Sequence, residues 1–254
     1  YIENSVDPDL LGEFETTRHD DGFHLDQVIS YENKFDQKNQ YLKAYLSYSH
    51  EVDDVHEHGG SEKSSSSGFP IDDTDALEKN NNLTLSIDYE NKLKNLIKVE
   101  TGAKTTLRKF GTDLTYLNND YDNNYSENIY AAYLITSHDL TNRLGLKIGF
   151  RTEHVNTNTN LIGITGIDST NILTHIIDSM IIKSPFNKPY SQFYPSFSLL
   201  YKLSENQNFQ IGYSKKINRP ERSSLNPFPQ STQDFSRLRN GNPELNPELS
   251  NIVE

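Results

Sequence analysis

Cysteine is absent from all 254 residues. That removes thiolate metal sites, cysteine nucleophiles and disulfides, and it suits an exported protein that avoids free thiols. Also lacking is any run of about 18 apolar residues, so no transmembrane helix is available. A membrane barrel stays open, because its strands alternate and raise only a weak hydropathy signal. Basic residues are few: 24 Lys and Arg against 36 Asp and Glu leave a net charge of −12, which nucleic-acid phosphates would repel. No signal peptide is visible. The chain begins at Tyr1 rather than Met and stops at Glu254 inside an extended pattern, so it reads as an excerpt of something longer.

What is present argues against disorder: 15 Tyr and 12 Phe in a polar chain that is 33% hydrophobic. They fall into period-two runs. Residues 1–21 are acidic and irregular, with a short strand at most near Glu13–Arg18. From Gly22 onward Phe23, Leu25, Ile29, Tyr31 and Phe35 share a face, as do Leu42, Ala44, Leu46 and Tyr48 after a short turn. Leu83, Leu85, Ile87, Tyr89 and Leu93 alternate with Thr84, Ser86, Asp88, Glu90 and Lys92. The next runs are Ile97–Leu107, Glu127–Leu140 with Leu144–Thr157, Phe193–Leu203, and Phe209–Tyr213. Eight strands and the start of a ninth result, joined alternately by short turns near residues 38, 94, 142 and 206 and by long polar segments. The long segments are about His50–Asn81, a stretch ending near Ser126, and about Asn158–Pro189. Ile172–Ile182 in the last is locally apolar and reads as a strand or short helix.

Strands of about ten to fifteen residues exceed what a soluble sandwich needs and match the 9–11 residues of a tilted membrane strand. Short connections at one end and long ones at the other are the asymmetry of an outer-membrane barrel. Phe35, Tyr41, Tyr201 and Phe209 near the short turns suit an interfacial aromatic belt. The alternate face carries Asp88, Glu90, Lys98, Glu100, Lys104, Lys147, Arg151 and Glu153, which cannot meet lipid and fit a wet or plug-filled lumen. The fold class is therefore all-β, an antiparallel up-and-down transmembrane barrel. A large soluble antiparallel sheet with one solvated face, such as an adhesin-like protein, is the alternative. A chain of this many strands ending in mid-strand points to part of a larger barrel.

After the strand through Tyr213 comes a segment rich in Pro, Asn, Ser and Arg, containing INRP (Ile217–Pro220), LNPF (Leu225–Phe228) and GNPELNPE (Gly241–Glu248). With the upstream pair ENIYAAYLITSHDL (Glu127–Leu140) and LGLKIGFRTEHVNT (Leu144–Thr157), these motifs resemble the outer-membrane β-barrel family of TonB-dependent receptors of Bacteroidetes type. The resemblance spans about residues 22–254. It implies that residues 1–254 are part of one barrel domain of about 22 strands, with a plug domain, remaining strands and a TonB-contacting segment outside this chain. It further implies a bacterial outer-membrane location, contact with lipid and lipopolysaccharide, and energised nutrient uptake through TonB. A non-transporting barrel of the same architecture, serving as scaffold or secretion partner, is the second expectation.

Site chemistry is sparse. His50, His56 and His58 with Glu51, Asp53, Asp54 and Glu57 combine imidazole and carboxylate, which suits captured Zn²⁺ or Cu²⁺; a solvated polar loop explains them equally. Asp120, Asp122 and Asn124 have the spacing of half a calcium loop but Tyr125 stands where its glycine belongs. Lys215, Lys216, Arg219, Arg222, Arg237 and Arg239 make the Pro-rich segment basic. They fit substrate or lipopolysaccharide phosphate, or simple pairing with Glu221, Asp234 and Glu244. No G-x-S-x-G or H-E-x-x-H occurs and His138–Asp139 reads as structural, so no enzyme is expected, with an outer-membrane lipase or protease barrel as the alternative. No resident cofactor is expected.

Overall fold

A computed structural model describes residues 15–35, 40–60, 74–93, 97–116, 119–162, 186–225, 230–231, 238–239, 241–242 and 244–254. Its strands are β1 (Glu15–Phe35), β2 (Gln40–Gly60), β3 (Thr74–Leu93), β4 (Ile97–Tyr116), β5 (Asn119–Asp139), β6 (Leu144–Ile162), β7 (Phe186–Ser204) and β8 (Gln207–Asn218). A single helical turn, α1 (Arg222–Leu225), and two two-residue strands, β9 (Gln230–Ser231) and β10 (Leu238–Arg239), precede β11 (Glu248–Val253). Nine strands form one antiparallel sheet in the order β1-β2-β3-β4-β5-β6-β7-β8-β11. Each strand lies beside its sequence neighbour, the up-and-down arrangement that the alternating runs predict. β9 and β10 pair only with each other.

Register keeps one face apolar across the sheet. Ile29 faces Leu46, Leu46 faces Leu85, and Leu85 faces Thr105. Lower down, Leu146 faces Leu199, which faces Ile211. A one-residue slip anywhere would put these side chains on the opposite face. Among the described residues no second layer covers them: Leu85 is 53% and Ile87 51% exposed, and Phe23, Phe150, Phe193 and Phe209 are exposed as well. Apolar side chains arrayed this way, on a contiguous exposed face, fit hydrocarbon rather than water.

The strands differ from expectation in length. β1 to β7 run 19 to 21 residues. β1 starts at Glu15, before the irregular stretch was expected to end, and β2 runs on through HEVDDVHEHGG to Gly60. The stretch read as polar loop up to Ser126 is the outer part of β4 and β5, which run to Tyr116 and from Asn119. The reason is physical. Beyond the hydrocarbon a strand needs no apolar side chain on either face, so the period-two signal disappears while the backbone ladder continues. Ile172–Ile182 lies outside the described residues.

One aromatic assignment changes. Phe35, Tyr201 and Phe209 lie on the exposed apolar face, with Tyr201 opposite Phe209. Tyr41 occupies the alternate parity of β2, opposite Lys34, with the Lys43 ammonium 5.1 Å from its ring centroid. It belongs to the polar face and not to an interfacial belt.

Candidate functional site

The polar face carries the buried groups. Thr106, Phe110 and Leu114 of β4, Tyr121, Asn123, Tyr125, Glu127, Ile129 and Ala131 of β5, and Glu153, Val155, Thr157, Thr159 and Leu161 of β6 are all buried there. Each has the parity opposite to the apolar belt. Their burial is concentrated in the half away from the short turns. Closer to those turns the same face is half-open and ion-paired: Lys98 Nζ lies 2.9 Å from Glu90 Oε2 and also contacts Glu100, and the Tyr133 hydroxyl donates to Asp88.

Onto this wall folds the segment after β8. Arg219, one residue past the strand, turns its guanidinium onto Glu153 of β6, with its Nε 3.9 Å from Glu127 Oε1 on β5. The pair is buried: the Glu153 side chain is 3% exposed and that of Arg219 19%. Arg151 holds the other Glu153 oxygen at 2.7 Å, and Arg108 of β4 reaches Glu127 Oε2 at 3.2 Å. Burial works against the Arg219 charge, and the Glu153 carboxylate, backed by Tyr190 and Glu127, outweighs it, so its pKa stands above the ordinary arginine value. Each of the two buried carboxylates is thus met by guanidinium groups, as buried charges must be, while Arg108 and Arg151 keep contact with solvent.

Pro220 ends the strand ladder, since it has no N–H to donate. The chain then makes one helical turn, with Ser224 N donating to Glu221 O at 3.0 Å. That turn points Leu225 into Phe110 and Tyr125, whose rings are 5.1 Å apart. The GNPEL stretch is tied to the same turn. Asn242 N donates to Ser224 O at 2.8 Å, Glu244 N donates to Asn242 Oδ1 at 2.9 Å, and Lys188 Nζ donates to Glu244 O at 3.2 Å. Between this segment and the wall lies a cavity of about 310 Å³, bordered by Arg108, Tyr125, Thr157, Tyr190, Arg219 and Pro247.

The sequence candidates fare unevenly. Arg219 is an ion-pair residue of the inner wall, and among the described residues its partners are Glu127 and Glu153; Asp234 lies outside the described residues. It points away from the lipid face, which does not fit contact with lipopolysaccharide. Lys215 and Lys216 alternate on β8 and so face opposite ways. Arg222 lies in α1 and Arg239 in β10, but only their backbones are described; Arg237 lies outside the described residues.

His50, on the apolar face, hydrogen-bonds Asn81 Oδ1 at 2.8 Å and stacks beside Tyr48. His56 is bracketed by Asp75 at 2.6 Å and Asp54 at 3.4 Å. Six residues of strand part the two histidines, roughly 20 Å, so they do not meet around one ion. His58 pairs through its backbone with Thr17 and its side chain lies outside the described set. Asp120, Asp122 and Asn124 stand on extended β5, with Thr115 donating to Asp120 and Asn124 to Asp122. An extended strand spreads their oxygens along its length, whereas a calcium loop curls them inward. Among the described residues, no three His, Asp or Glu side chains converge as a metal site. Sequence reading missed Phe110, Tyr125, Leu225 and Lys188. They look like ordinary strand and loop residues until the fold brings them together.

The model of the outer membrane protein beta-barrel family matches residues 33–254. The chain belongs to that family. The barrel therefore sits in the bacterial outer membrane, with its apolar face in lipid. No curated protein matches the barrel chain. Solved structures do match, among them the ferric yersiniabactin uptake receptor FyuA from Yersinia pestis, at a TM-score of 0.54 and 14% identity. The superposition covers 80% of this chain and 28% of that receptor, so the barrel strands described here span little more than a quarter of its length. At that identity the likeness is one of fold.

Proposed function

We propose that the chain is a barrel segment of a TonB-dependent outer-membrane receptor that takes up a scarce nutrient. The observation that carries this reading is the inner wall. Its charges are paired with one another on the face opposite the lipid-facing belt, as Lys98 is with Glu90 and Arg219 with Glu153. Small barrels fill their interior with side chains, while transporters with about 22 strands enclose a plugged lumen. The fold likeness to an uptake receptor over 28% of its chain supports the larger size. On this reading a plug and TonB are the partners, the source is a Bacteroidetes-type bacterium, lipopolysaccharide surrounds the outer rim, and the chain has neither catalytic group nor resident cofactor.

Deleting the gene for the intact receptor should abolish growth on one limiting nutrient among a panel, and the intact gene should restore it. Inactivating TonB in the restored strain should remove that growth again. Growth that ignores both TonB and the deletion across the panel would overturn the transport reading and favour a scaffold or secretion partner.

A further inference from the structure

We propose that residues 219–225 form a static internal strap that walls off the β4–β6 face of the lumen, with Arg219 as its latch. The inference rests on the fold alone and does not depend on what is transported. Three independent attachments converge on this short segment. The Arg219 guanidinium is paired with Glu153, which is buried and shared with Arg151. Leu225 is buried against Phe110 and Tyr125. The main chain of the turn is bonded to Asn242, and Lys188 holds the neighbouring Glu244 carbonyl. All the wall residues involved, Arg108, Phe110, Tyr125, Glu127 and Glu153, have the parity opposite to the lipid-facing set, so the strap lies on the inner side.

The consequence concerns which surface a solute can touch. Thr157 of β6 is buried and borders the cavity behind the strap, so it is shielded. Lys147, on the same face of the same strand nearer the short turn, is exposed. A solute or a moving domain inside the lumen meets the second position and not the first. Segments that gate transport are held by weak, easily exchanged contacts; a buried ion pair, a buried leucine and main-chain bonds together describe a fixed partition.

The test uses the intact receptor in outer-membrane vesicles. This chain has no cysteine of its own, so labels can be placed singly once any cysteine elsewhere in the receptor has been replaced by serine. A water-soluble maleimide should label Lys147→Cys quickly and Thr157→Cys at least ~10-fold more slowly. Adding Arg219→Ala should accelerate labelling at Thr157→Cys by a similar factor and leave Lys147→Cys unchanged. If the alanine variant fails to fold, judged by loss of heat-dependent gel migration, the exchange Arg219→Glu with Glu153→Arg replaces it and should keep the position shielded. A Phe110→Cys, Leu225→Cys pair should oxidise to a disulfide without changing labelling at either position. Fast labelling of Thr157→Cys in the unaltered strap, no response to Arg219→Ala in a folded barrel, an exposed position in the exchange variant, or failure of the disulfide to form would overturn the strap.

Discussion

At the scale of single residues, two contacts have measurable weight. Arg219→Gln leaves Glu153 buried with one guanidinium instead of two. Breaking a buried pair from one side costs about 3 kcal/mol. The double variant with Glu153→Gln should lose less than the sum of the singles, because each single strands the other's charge. Chemical denaturation of the receptor in detergent micelles measures both, and additivity would show that the two side chains are not coupled. The second contact is Gly102, directly opposite Tyr133 on β5. A Cβ at this glycine would lie 2.7 Å from a Tyr133 ring carbon and 2.6 Å from Asp88 Oδ1 and the Ile87 carbonyl. Gly102→Ala therefore has to displace backbone or ring, and should destabilise by about 1–3 kcal/mol. Glycine here is required by the close approach of its neighbours, a fact that no local pattern around KVETGAK discloses.

Elements divide into a lipid half and a projecting half. Leu85 and Ile87 of β3 sit mid-belt, whereas Asp113 of β4 has the same outward parity but lies beyond it, with Lys79 3.1 Å away. A lysine at Leu85 should cost about 2–4 kcal/mol and one at Asp113 about 0–1 kcal/mol. Equal costs in reconstituted bilayers would remove the belt from this position. Spin labels stepped from residue 75 to residue 93 along β3 should alternate in oxygen accessibility near Leu85 and lose that alternation toward Asp75. Strand identity, pairing order and facing were legible in the chain because hydrocarbon imposes strict alternation. Strand ends were not, because in the projecting half both faces meet polar surroundings and Asn, Asp and Thr satisfy either one. That is why the histidine and aspartate candidates, expected on loops, stand on β2 and β5.

At the scale of the molecule, an unbroken ladder from β1 to β11 with an apolar outer face makes a wall that detergent, rather than salt or alkali, should release from membranes. The intact receptor should stay folded in cold dodecyl sulfate and shift its gel migration only on boiling, since edge-free closure makes barrels resistant. Release by carbonate without detergent would contradict the lipid-facing assignment. The same wall has two inner zones. One near the short turns is half-open and lined by paired charges; the other is sealed by the segment after β8.

Alternation of side chains fixed the strands and which residues share a face, since a period of two is dictated locally by the pleat; the choice of a bacterial outer-membrane barrel over a soluble sheet came with the Asn-Pro motifs after Tyr213 and their family resemblance. Which of the segment's six basic residues would be buried, which leucine would anchor the Pro-rich segment and where the carboxylates would come from were decided by tertiary structure. Those contacts join residues from β4, β5, β6 and the segment past β8, far apart in the chain, and long-range pairing of that kind leaves no periodic trace in any one of them.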